Sequence, residues 1–153
     1  MFEDVNTVVF LGGTCGNTNW RDNFIKNLVA LGIPENKIFN PVVPNWTPEC
    51  QDREDTAKAE ARLNVYYLTN PNDGVNQFSV YSIFEATKGL YEDRQANAVV
   101  FDLNPSIYPN HINKVVNKIY KDLKNKFPQN VFDSLDDLVL ALAEEIEYEK
   151  SIT

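Results

Sequence analysis

Residues Ala98-Val99-Val100-Phe101-Asp102-Leu103 form a run that is apolar at almost every position. A strand with one face in water alternates apolar and polar side chains. A strand without that alternation is covered on both faces, as in a parallel sheet sandwiched between helices. Parallel strands need long crossovers, usually helical, so the segments between strands should carry 3.6-residue periodicity.

They do. Asn6-Thr7-Val8-Val9-Phe10-Leu11-Gly12-Gly13 reads as a first strand ending in a glycine turn. A helix follows, capped by Thr18 or Asn19, with Trp20, Phe24, Ile25, Leu28 and Leu31 on one face and a stop at Gly32 and Pro34. Lys37-Ile38-Phe39-Asn40 is a short second strand. Pro41, Pro44 and Pro48 punctuate a loop holding Trp46, and Thr47-Pro48-Glu49 marks a helix start. The stretch Gln51 to Arg62 is charged and alanine-rich, and is expected as a thinly packed surface helix. Leu63-Asn64-Val65-Tyr66-Tyr67-Leu68-Thr69 is a third strand, and Asn70-Pro71-Asn72-Asp73-Gly74 a turn. A helix from Ser79 or Ser82 to Tyr91 is expected to turn Ile83, Phe84, Thr87, Leu90 and Tyr91 inward. After the Ala98 run come a helical stripe (Ile112, Val115, Val116, Ile119, Tyr120, Leu123), a short strand at Asn130-Val131-Phe132, and a closing helix capped by Ser134.

Five strands alternating with five helices predict one α/β domain over residues 1–153, a doubly wound parallel sheet with helices on both faces. Ligands of such sheets bind beyond the carboxyl ends of the strands. The segments expected there are Gly12–Trp20, Asn40–Trp46, Thr69–Ser82 and Asp102–Tyr108.

Charge narrows the partners. Twenty-two acidic against 14 basic residues give a formal net charge of −8. That disfavours both nucleic acid and an anionic membrane surface. No apolar run approaches the roughly 20 residues that span a bilayer. The first five residues carry two acids and no base, unlike a secretory signal. Two cysteines and one histidine do not supply a Cys/His zinc site. A cytoplasmic compartment with reduced thiols is expected.

Three clusters could carry chemistry. Gly12-Gly13-Thr14-Cys15-Gly16-Asn17 lies between strand and helix, where glycines admit a ligand to the backbone. Its spacing is neither the dinucleotide fingerprint nor the P-loop, and it reads equally as a tight turn. Cys15 would want His111 as a partner to act as a nucleophile; His111 reads more simply as a solvated helix-start residue. Ser82 and Glu85 stand three apart, which fits a capping box. The same placement fits a carboxylate nucleophile near the positive end of a helix, with Tyr81, Ser82 or Tyr67 holding its second oxygen. Trp20 is expected in the core, whereas Trp46 either pins its own loop or stacks on a flat ligand ring.

In order, Phe10-Leu11-Gly12-Gly13-Thr14, Trp20-Arg21, Asn40-Pro41 with Trp46, Tyr67-Leu68-Thr69 and Ser82-Ile83-Phe84-Glu85 resemble the nucleoside 2-deoxyribosyltransferase-like family. The resemblance implies a flavodoxin-like fold. It also implies transfer of a 2-deoxyribosyl group between nucleobases, with no metal or organic cofactor. The partners would be a small-molecule nucleoside and a free base, and homo-oligomers are common in the family. Related members hydrolyse the N-glycosidic bond of deoxynucleoside monophosphates, and a non-catalytic nucleotide-binding module would use the same scaffold.

The family nucleophile is a glutamate in an Asp-x-Gly-Thr-x-x-Glu stretch. Glu85 matches it and Ser82 matches the threonine, while Tyr81 replaces the glycine and Ser79 the aspartate. The aspartate that serves the leaving base corresponds most nearly to Asp73, with Asp102 in reserve. Substrate contacts are expected from Gly12, Gly13, Thr14, Asn17, Arg21, Asn40, Trp46, Tyr67, Tyr81 and Ser82. In the implied reaction the glutamate traps the sugar covalently, as in retaining glycosidases.

Overall fold

A computed structural model describes residues 6–13, 19–69, 79–103 and 110–152. Its strands are β1 (Val9–Gly13), β2 (Ile38–Phe39), β3 (Leu63–Thr69), β4 (Asn97–Asp102) and β5 (Val131–Phe132). The helices are α1 (Trp20–Ala30), α2 (Pro48–Glu60), α3 (Val80–Glu92), α4 (Asn110–Lys126) and α5 (Leu135–Ile152). All strand pairs are parallel and the order is β2-β1-β3-β4-β5. This is the doubly wound, flavodoxin-like sheet expected from the alternation, with its change of winding direction between β1 and β3.

Side chains alternate along each strand, so two cores form. Val9, Leu11, Val65 and Val100 pack on Trp20, Phe24 and Leu28 of α1 and Leu138 of α5. Tyr66, Leu68, Val99 and Phe101 pack on Ala86 and Leu90 of α3 and Val116 and Leu123 of α4. Full burial of a side chain such as Leu68 or Leu90 contributes ~1.5–3 kcal/mol relative to leaving it in water. Helix α2 meets β1 on this second face, where the Lys58 Nζ lies 5.3 Å from the centre of the Phe10 ring.

Helix α1 ends as the sequence implies. Gly32 takes φ +97°, its N–H bonds the Val29 carbonyl at 2.9 Å, and the Ile33 N–H bonds the Leu28 carbonyl at 3.1 Å. Those two bonds are a Schellman closure, and Ile33 and Leu28 are buried in the same core. Helix α5 is capped by Ser134, whose Oγ accepts the Asp137 N–H at 3.1 Å.

Several expectations are corrected. Strand β2 has two residues and not four, and β4 begins one residue early, at Asn97. On α3 the buried stripe is Ser82, Ala86 and Leu90, while Phe84 and Tyr91 are exposed. Each residue turns a helix by about 100°, and two small residues on the inner side let α3 sit close to the sheet. Of the expected inner residues Leu90 is buried and Ile83 packs against the core, so apolarity misplaces Phe84 and Tyr91 only. On α4, Val115 is exposed while its neighbour Val116 is buried. The Asn97 side chain closes α3 by donating to the carbonyls of Gly89 (3.1 Å) and Asp93 (2.8 Å). Among the described residues no helix is long and apolar enough to cross a membrane.

Candidate functional site

A hollow of about 360 Å³ opens at the carboxyl end of β1, a size within the range of small-molecule sites. Gly12 and Gly13 form its base, Ser82 and Glu85 of α3 one wall, and Glu54 and Lys58 of α2 another. Pro41, Val42, Val43 and Trp46, from the loop after β2, close the outer side.

The glycines have distinct reasons to be there. Gly13 has φ +107°, and a Cβ on it would stand 2.2 Å from the Tyr67 carbonyl oxygen. A Cβ on Gly12 would meet the Tyr66 ring at 2.9 Å. Both therefore let β1 and β3 approach, and both face the hollow. Arg21 is buried at the start of α1. Its Nε donates to the Leu11 carbonyl at 3.2 Å and its Nη2 to the Gly13 carbonyl at 3.4 Å. The guanidinium also lies 4.6 Å over the Trp20 ring. Arg21 thus lines the hollow while bracing the end of β1. Trp20 is in the core, as expected.

The capping-box reading of Ser82 and Glu85 is corrected. Ser79 is the N-cap of α3, and its Oγ accepts the Ser82 N–H at 3.3 Å and donates to the Ser82 Oγ at 2.8 Å. Glu85 therefore sits too far along the helix to reach back to the cap. Its Oε2 instead meets the Lys58 Nζ at 2.5 Å, with the two side chains only 19% and 22% exposed.

None of the expected partners holds that carboxylate. Tyr67 points to the opposite face of the sheet and donates to Asp102 Oδ2 at 2.7 Å. Burial, then that hydrogen bond, push the Tyr67 phenol well above its ordinary range. Tyr81 is exposed, packs on Phe84 with ring centres 6.0 Å apart, and borders a second hollow on the far side of the Lys58–Glu85 pair. Asn40 shapes the site indirectly: its Oδ1 accepts the Val42 N–H at 3.1 Å and turns the loop that presents Pro41 to Val43. Trp46 is 60% exposed and forms part of the rim. Thr14, Cys15, Asn17, Asp73 with the Asn70–Gly74 turn, and the His111 side chain lie outside the described residues.

The structure thus brings Gly12, Gly13, Arg21, Trp46, Ser82 and Glu85 together around one hollow, and sends Tyr67 and Asp102 to the other side. A family model described as nucleoside 2-deoxyribosyltransferase like matches residues 6–103. The chain belongs to this family. The matched span contains every described residue that lines the hollow. Comparison with curated proteins finds no match.

In this deoxyribosyltransferase-like chain, sequence reasoning missed the two further charged lining residues, Glu54 and Lys58. Both fall in the charged stretch Gln51 to Arg62, expected as a thinly packed surface helix. Their signal was present: they are four apart, hence on one face, and Ala57 and Ala61 beside them leave room for close packing. Burial raises the Glu54 carboxyl above its ordinary value, and the nearby Glu85 charge adds to this against the opposing pull of Lys58 and Arg21. At the start of α2, hydrogen bonds from Thr47 and then the charge of Arg53 lower the Cys50 thiol, which is not among the residues lining the hollow.

Proposed function

We propose that the chain is a nucleoside 2-deoxyribosyltransferase in which Glu85 is the nucleophile. The observation that carries this reading is the position of Glu85, on the wall of the hollow with one carboxylate oxygen held by Lys58. Breaking an N-glycosidic bond builds positive charge on the sugar. A fixed carboxylate beneath the anomeric carbon stabilises that charge and then bonds to the carbon. Lys58 holds Oε2, so Oε1 is the oxygen that attacks. Gly12 and Gly13 leave room for the sugar, Ser82 adjoins Glu85, and Trp46 offers its ring to a base. A second base then takes the sugar from Glu85, and two displacements return the starting configuration.

Hydrolysis is the second reading, and the exposure of Trp46 favours it, because an open rim admits water to the glycosyl-enzyme. A purine deoxynucleoside supplied with and without a free acceptor base separates the two. Product that depends on the acceptor supports transfer, and free deoxyribose regardless of acceptor supports hydrolysis. Glu85→Gln is expected to melt like the parent and lose at least ~10³ in turnover. A folded Glu85→Gln protein with full activity contradicts both.

A further inference from the structure

We infer that Glu54 is the group that protonates the departing base, an inference that rests on the proposed role of Glu85. Helix α2 begins in the loop that carries Trp46 and runs back along the sheet toward β3. Glu54 therefore lies one turn nearer the rim than Lys58, by a rise of ~6 Å. Lys58 marks the depth of the Glu85 carboxylate, since the two are in contact. A sugar seated over Glu85 with its base toward Trp46 then puts the base beside Glu54. This offset matches what the reaction needs: one carboxyl at the anomeric carbon, the other at the leaving group.

The two acids are not equivalent. They are the two carboxylates among the described residues lining the hollow. Of the two, Glu85 alone is in an ion pair with a described residue. Glu54 is half-buried, and the charged groups that act on it are Lys58 and Asp55 on its own helix, Glu85 on α3 and Arg21 on α1. Burial is the largest influence and, with the Glu85 and Asp55 charges, raises its carboxyl above the ordinary value against Lys58 and Arg21. Two carboxyls in one site, one held in an ion pair with Lys58 and the other one turn nearer the rim without such a pair, are suited to different tasks.

The step balances as follows. A Glu85 oxygen bonds to the anomeric carbon, and the electron pair of the carbon–nitrogen bond passes to the base. The Glu54 proton moves to a ring nitrogen of that base, which leaves neutral. When the acceptor attacks, the Glu54 carboxylate takes up the acceptor's proton and the sugar–Glu85 ester opens.

The test compares 2′-deoxyguanosine with 7-methyl-2′-deoxyguanosine, whose base already carries the positive charge and departs without a proton. Glu54→Gln is expected to lose ~10²–10⁴ in kcat on 2′-deoxyguanosine and stay within about threefold of the parent on the methylated substrate. The parent's alkaline fall in kcat/KM on 2′-deoxyguanosine should also disappear in this variant. Equal losses on both substrates, or no loss on either, overturn the role of Glu54. Glu85→Gln should fail on both. A Glu85→Gln protein still active on the methylated substrate, or a parent chain that cleaves neither, sinks the underlying reading and this inference with it.

Discussion

The Lys58 Nζ and Glu85 Oε2, 27 residues apart in the chain, meet at 2.5 Å across the gap between α2 and α3. The contact ties the two helices that flank the hollow and fixes one oxygen of Glu85. It also means that α2, the most polar helix on this side, is part of the site.

If Lys58 orients the nucleophile, Lys58→Met should lower kcat by ~10–10² with a smaller change in KM, because misplacement of a reacting group by about an ångström has that scale of effect. Lys58→Arg, which keeps the charge, should recover part of the loss. Steady-state kinetics check this. A Lys58→Met enzyme with the parent's kcat would show that the pair only joins helices.

The raised Glu54 carboxyl also makes a stability prediction. A group whose folded-state value lies above the unfolded one binds more protons when folded, so its contribution falls as pH rises past the unfolded value near 4.5. Glu54→Gln, which cannot ionise, should therefore melt higher than the parent at pH 7 and show less of this advantage at pH 4. Melting curves at the two values decide it, and an advantage that grows toward pH 4 would contradict the sign. A variant more stable at neutral pH and less active is the usual mark of a strained catalytic group.

How much of this was readable in advance varies with how local the cause is. The Ala98 run, the Gly32 stop and the Thr47-Pro48 helix start act through neighbouring residues, and all three appear, the strand shifted by one residue. The inner face of α3 does not follow from apolarity, because Ser82 and Ala86 are buried by virtue of being small. The face that Glu54 and Lys58 share is legible in their own helix, but what turns them into site residues is the arrival of α3 and its Glu85. The separation of Tyr67 from Glu85 follows from strand alternation, since Tyr66 and Tyr67 must face opposite ways. That alternation is legible in the sequence itself.

Asn97 and Gly89 give a packing test. A Cβ on Gly89 would stand 2.3 Å from Asn97 Oδ1. Gly89→Ala should destabilise the fold despite the ~0.5–1 kcal/mol that alanine gains in a helix. Asn97→Ala should cost ~0.5–1.5 kcal/mol for each side-chain bond lost, since the Gly89 and Asp93 carbonyls keep the backbone N–H groups of Asp93 and Ala96. In the double variant the collision is gone, so its loss should be smaller than the sum of the two. Urea unfolding of all four proteins measures this, and strict additivity would contradict it.

Helix α2 buries only Cys50 and Ala57, so it should open more readily than the sheet. Amide exchange in α2 is expected to be faster than in β4, and saturating nucleoside should slow it, because a ligand between Glu54, Lys58 and Glu85 holds α2 to α3. Exchange in α2 as slow as in β4 would contradict the first expectation.

The proposed reaction depends on a covalent bond between the sugar and Glu85. Intact-protein mass spectrometry after brief mixing with a 2′-deoxynucleoside, without acceptor base, tests it most directly. The expected result is one added deoxyribosyl group, mapped to Glu85 in the digest and absent from Glu85→Gln. Turnover with no adduct at any mixing time, or an adduct on another residue, would contradict the account.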